Sequence, residues 1–171
     1  GFPEETLQEI KEKINFMKTT GFNWVIASIA SPIAGSELYD ECKKKGLIIN
    51  EDLSSYSYGK SNIRLPYATT EEMERIRYEA VLEVNFVENY DLKNGNPKQA
   101  LIGFKGATDR IKNHALGHFY SSLAYKDLDQ KQESEKSLQK YYKIIKESHY
   151  WRQIAQKYKL PLNNLDTSFK P

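Results

Sequence analysis

The stretch Trp24-Val25-Ile26-Ala27-Ser28-Ile29-Ala30 carries no charge and does not alternate in polarity, and it restricts what this chain can build more than any other segment. A short apolar run bounded by turn residues reads as a strand buried on both faces, the habit of parallel sheets. One strand of this kind cannot make a sheet. Two Pro/Gly loops frame the run, Gly1-Phe2-Pro3-Glu4-Glu5-Thr6 before it and Ser31-Pro32-Ile33-Ala34-Gly35 after it. The sequence opens at Gly1 rather than Met, so the expectation is a piece of a larger protein whose other strands lie upstream.

The flanking segments read as helices. Thr6 with Glu9 has the form of a capping box, and Leu7, Ile10, Ile14 and Met17 then recur on one helical face. Gly21 ends that helix. Ser36 caps a second one carrying Leu38 and Tyr39, which closes with Lys43-Lys44-Lys45-Gly46, cations against the helix dipole and glycine at the C-cap. The order loop, helix, strand, loop, helix is the repeating grammar of a β/α barrel, in which the loops after the strands carry the ligand site.

On these residues the chain resembles the C-terminal end of a radical S-adenosylmethionine barrel, in the subgroup that often carries a cobalamin-binding domain upstream. That family usually reads Gly-Phe-Pro-Gly-Glu-Thr and then Pro-x-Pro-Gly-Thr-Glu-Leu-Tyr. This chain has Glu4, Ala34 and Ser36 where the family favours Gly, Pro and Thr. The resemblance implies an Fe-S oxidoreductase that holds a [4Fe-4S] cluster on three upstream cysteines and cleaves S-adenosylmethionine to a radical. It also implies that Gly1, Phe2, Pro3 and Glu5, with Ala30 and Pro32, help to seat the nucleoside of the cofactor. The implied partners are the upstream barrel and a cobalamin domain of the same parent chain. The segment alone lacks the cluster cysteines, so neither bound cofactor nor activity is expected of it, and no catalytic or metal-ligating residue is assigned.

From Thr69 onward the pattern is helical. Thr69 with Glu72 makes another capping box, and Met73, Ile76, Ala80, Val84 and Val87 follow at helical spacing. Asn96-Pro97 restarts a helix whose buried side is Ala100, Phe104 and Ala107. A shift of 34 residues carries these three onto Ser134, Leu138 and Tyr141, and Asn94-Gly95 onto Leu128-Asp129. That period resembles the tetratricopeptide repeat, two antiparallel helices per unit. Ser122, Tyr125, Leu128, Ser134 and Leu138 match its small, aromatic and aliphatic positions. Glu88, Asp91 and Tyr141 do not. The expected fold is therefore mainly α with minimal β: a barrel remnant over 1–46, a connecting loop over 47–68 and tetratricopeptide-like helices over 69–171, the stretch from Leu160 to Pro171 fraying.

The remaining features are weaker. A formal net charge of +2 offers no electrostatic argument for nucleic acid or an anionic membrane, and the absence of any apolar run near 20 residues makes the cytoplasm the expected location. The single Cys42 excludes an internal disulfide. His114 and His118, four apart, read as a helix-surface pair rather than a metal site. Two further partners are expected: a second copy of the chain pairing with the orphan strand, or a protein held by the helical repeats as an interaction module.

Overall fold

The computed structural model describes residues 1–162. Among them the chain is mainly helical and contains no strand; of the stretch from Leu160 to Pro171 expected to fray, residues 163–171 lie outside the described residues, while Leu160 N–H is bonded to the Ala155 carbonyl at 2.8 Å. The β pairing recorded is an isolated antiparallel bridge between Ile48 and Ile63. The chain forms two compact units, Gly1–Val84 and the part from Asn85 onward.

In the first unit the local signals act as they read. Helix α1 (Leu7–Thr19) opens on a full capping box: the Thr6 hydroxyl accepts from Glu9 N–H at 3.2 Å and the Glu9 carboxylate from Thr6 N–H at 2.8 Å. Helix α2 (Glu37–Lys44) is capped by Ser36, and Gly46 leaves it at φ +65°, so that Leu47 N–H reaches back to the Cys42 carbonyl at 2.8 Å. Helix α3 (Thr70–Leu82) repeats the box with Thr69 and Glu72. These helices and the loops between them close on a small core of Ile10, Ile29, Cys42, Ile63, Leu65 and Met73. Full burial of one such aliphatic side chain contributes about 1.5–3 kcal/mol.

The Trp24 to Ala30 segment departs from the expectation of a strand buried on both faces. It has no ladder, and its burial alternates: Trp24, Ile26 and Ser28 are exposed, Val25 and Ala27 half-buried, and Ile29 buried. Ile26 is 76% exposed. With no neighbouring strand on the described chain, only one side of the segment finds a core to face. Its backbone is met by other groups, Ile29 N–H by the Tyr58 carbonyl at 3.0 Å and the Ala27 carbonyl by Arg77 Nε at 2.7 Å.

After α3 the chain passes through a π-helical turn, Glu83–Val87, where the sequence predicts unbroken α-helix. In that turn Asn85 and Phe86 are buried, 1% and 2% exposed, while Val87 is only half-buried. The second unit then contains α4 (Tyr90–Lys93), α5 (Pro97–Arg110), α6 (Ala115–Asp127), α7 (Lys131–Glu147) and α8 (His149–Lys157). Its core is aromatic. Phe86 stacks on Phe104 at 5.5 Å, Phe104 meets Tyr120 at 6.0 Å, and Phe119 meets Tyr141 at 5.0 Å between ring centroids. Tyr141, which replaces the small residue the repeat would favour, is fully buried and donates its hydroxyl hydrogen to the Pro161 carbonyl at 3.0 Å. It fastens the end of the described chain to α7.

The 34-residue correspondence has a backbone counterpart. Gly95 and Asp129 both take left-handed φ, +75° and +57°, and in each case the next N–H turns back to the helix, Asn96 to Asp91 O at 2.8 Å and Gln130 to Tyr125 O at 2.9 Å. Between α6 and α7 the small residues touch directly, the Ser134 hydroxyl donating to the Ser122 carbonyl at 2.8 Å. Asn96, read as a side-chain cap for α5, makes no such bond; Pro97 at the first turn remains the start signal.

Candidate functional site

The residues expected to seat a nucleoside sit on the first unit, and Glu5 organises the first of their two loops. Its carboxylate accepts from the nitrogens of Gly1 at 2.6 Å and Phe2 at 2.7 Å, while Lys13 Nζ pairs with its other oxygen. Partial burial opposes ionisation of Glu5. The hydrogen bonds from Lys13, from the terminal ammonium at Gly1 and from Phe2 N–H more than offset that, holding its carboxyl at about 2. The same loop turns on Glu5 N–H to the Phe2 carbonyl at 3.2 Å, and that carbonyl also accepts the Tyr67 hydroxyl at 3.0 Å. Burial, and then the carboxylates of Glu5 and Glu9, push Tyr67 up to about 12, so it stays a donor across the physiological range.

The loop packs on the core through Gly1. A Cβ placed there would lie 3.2 Å from Ile29 Cγ2, one residue before Ala30. Pro3 is buried and Phe2 is half-exposed. Glu4, where the family favours glycine, reaches Lys45 Nζ at 3.0 Å, beyond the end of α2. That ion pair links the first loop to the helix that follows the second loop, although both partners are exposed enough for the pair to be worth little.

The second loop is held differently. Pro32 is buried, and its carbonyl lies 3.4 Å from the Tyr56 hydroxyl, which is 3.1 Å from the Asn50 carbonyl. Ala30 is half-buried. The structure therefore brings Gly1 to the chain beside Ala30, whereas Pro32 is tied to the Tyr-rich connecting segment and not to Glu5. A shallow cavity of about 590 Å³ lies over residues 64–72, lined by Ile49, Arg64, Tyr67 and Thr69 among others. None of the six candidate residues lines it.

Two residues of this region carry roles that sequence reading did not assign, and a third is buried unsatisfied. Tyr67 clamps the first loop, Arg77 holds the Ala27 carbonyl, and Asn62 is buried with its side-chain nitrogen unpartnered. Tyr67 stands two residues ahead of the Thr69 capping box, but nothing in its neighbours marks it as a long-range donor.

The residues present do not fit an iron-sulfur cluster. The chain supplies one thiol, and Cys42 is fully buried within the first core, its pKa raised by burial and by Glu41. No group of three His, Cys, Asp or Glu suited to a metal occurs among the described residues. His114 and His118, expected on a helix surface, are both buried. His114 is the N-cap of α6, its Nδ1 accepting from Gly117 N–H at 2.9 Å, and His118 Nε2 lies 2.9 Å from the Lys112 carbonyl. Both rings are thus occupied by the fold. No helix among the described residues is long and apolar enough to cross a membrane. No protein-family model, curated protein or solved structure matches the chain.

Proposed function

We propose that this chain is the C-terminal portion of a radical S-adenosylmethionine iron-sulfur enzyme, followed by tetratricopeptide-like helices. The observation that carries the reading is the Gly1 to Glu5 loop, folded around its own carboxylate and seated on Ile29 beside the second Pro/Gly loop. The first loop meets the small core at Ile29 and Met73, and Ala30, leading into the second, packs against the same core. In the whole enzyme the backbone of Gly1 to Pro3 and of Ala30 to Pro32, with the half-exposed Phe2 ring, would border the nucleoside. Glu5 would shape that border rather than touch the ligand, because Phe2 N–H and Lys13 Nζ already engage its two oxygens. The cluster, on upstream cysteines, would supply the electron that opens the cofactor's sulfonium; nothing in this chain does so.

The test is the coding sequence ahead of Gly1, followed by the anaerobic protein it encodes. The expected result is a Cys-x3-Cys-x2-Cys loop upstream and release of 5′-deoxyadenosine when the reduced protein meets S-adenosylmethionine. A reading frame that begins at or just before Gly1, or an upstream segment without the three cysteines, would remove the proposal.

A second reading, a helical module that holds another protein, is favoured by the recurrence of the left-handed cap at Gly95 and Asp129. Repeats of this kind stack into surfaces that present one helix face after another. The two readings are compatible within one polypeptide.

A further inference from the structure

On the second unit, α5 and the end of α6 border an open groove of about 590 Å³. Ile102, at mid-helix on its rim, is 66% exposed. Lys98 and Lys105 stand four residues before it and three after it, which puts all three on one face. Both lysines line the groove, and neither makes an ion pair among the described residues. Asp109, the acidic residue in the lining, is matched by Lys112 at 3.7 Å. Leu128 and the Tyr125 side chain complete the apolar wall.

Gly106 is the decisive residue. Glycine is the poorest helix former after proline, and here it occupies the interior of a 14-residue helix. Its φ is not left-handed, and an added Cβ would meet nothing within 4 Å. Neither backbone conformation nor internal packing requires glycine at this point. What the missing side chain does provide is an open place on the groove lining, a turn after exposed Ile102 and directly after Lys105.

We infer that this groove binds a short acidic segment of a partner protein, with one apolar side chain laid against Ile102 and Leu128 beside Gly106 and its carboxylates met by Lys98 and Lys105. The occupant is chosen by charge: an uncharged apolar segment would leave both ammonium groups unmatched, and a basic one would be repelled. The inference does not rest on the radical-enzyme reading.

The experiment uses the full chain, labelled with nitrogen-15, and two synthetic peptides. One carries leucines a helical turn apart among glutamates; the other has lysine for every glutamate. The acidic peptide should shift amides within 98–109 and 125–130, bind roughly tenfold more tightly than the basic one, and weaken as salt rises. Lys98→Glu combined with Lys105→Glu should reverse the preference. Gly106→Ala should raise Tm, since alanine is the better helix former, yet weaken the acidic peptide at least about threefold by filling its seat. A groove that merely completes the fold would give the first effect without the second. Equal binding of both peptides, shifts confined to other surfaces, no shift at millimolar peptide, or unchanged affinity in Gly106→Ala would each overturn the inference. Self-association of the free chain that Ile102→Ser abolishes would assign the groove to a second copy and overturn it as well.

Discussion

Replacing His114 should remove a large part of the acid sensitivity of the second unit, to which the buried His118 also contributes. Its ring lies 4.7 Å from Phe86 and 4.8 Å from Trp151 between centroids, and the residue is 3% exposed. Burial, reinforced slightly by His118, lowers its pKa from 6.5 to about 4. The unfolded chain therefore takes up a proton near pH 6.5 that the folded chain refuses until near pH 4. Stability contributed by the neutral ring is complete above the unfolded value, declines as pH falls through that window, and levels off below it. At 1.36 kcal/mol per unit, the loss between pH 7 and pH 4 is about 3 kcal/mol. Geometry gives the same sign, because Nδ1 accepts the Gly117 N–H and a proton there would destroy the cap. His114→Asn keeps a side-chain acceptor at the N-cap and does not titrate. Urea unfolding followed by circular dichroism from pH 7.5 to 4 should show the wild type losing about 3 kcal/mol more than the variant over the range. Parallel pH profiles would refute the reasoning, since they would mean the ring protonates equally in both states.

Three other outcomes are expected. Asp129→Gly should stabilise the chain by up to about 1 kcal/mol, and Gly95→Ala should cost about 1 kcal/mol, because both positions are left-handed C-caps; opposite shifts in Tm check the pair. Ser122→Leu should cost about 1–3 kcal/mol or more in urea unfolding, because Ser122 is 2% exposed where α6 meets Ser134 of α7. Glu5→Gln should cost about 1 kcal/mol at pH 7, discounted for the exposure of Lys13, and the difference should vanish as pH falls from 4.5 toward 2. A depressed carboxyl stabilises only where it is ionised, so a cost that persists at pH 2 would contradict the assigned role.

Legibility in the sequence followed the distance over which each interaction acts. The caps at Thr6, Ser36 and Thr69 are bonds between residues three apart, and residue type alone announces them. The correspondence of Gly95 with Asp129 was equally readable, since a helix that must reverse needs a left-handed residue at its end. Burial was harder. His114 and His118 look like a surface pair until Phe86 and Trp151, from elements on either side in sequence, enclose His114. The π turn at Glu83–Val87 arises inside a run whose spacing suits an uninterrupted helix. Of the candidate site, the turn-forming residues were visible but the group that fixes the first loop was not: Tyr67 acts on Phe2 across 65 residues. Glu5 was legible as a member of that loop, but not that its oxygens bond within the loop and to Lys13.

The Trp24 to Ala30 segment shows how a strand-like sequence is kept in place without a sheet. In a ladder its peptide groups would be paired by neighbouring backbone at every second residue. Here a guanidinium and a loop stand in: Arg77 on α3 donates to Ala27, and the Tyr58 carbonyl accepts from Ile29. The two substitutes are themselves adjacent, since a Cβ at Gly59 would lie 3.5 Å from Arg77 Nη1. Arg77 and the Tyr58–Gly59 loop therefore meet the same edge of the segment together. Arg77→Ala should cost about 1.5–3 kcal/mol, the range for a hydrogen bond to a charged group. Arg77→Lys should recover little, because an ammonium cannot keep the planar fork geometry that meets Ala27. Hydrogen exchange should locate the damage, the Ile29 amide losing protection while the amides of α7 keep theirs. Undiminished protection at Ile29 in Arg77→Ala would mean that the segment is held by its apolar side chains alone, and the brace would have to be abandoned.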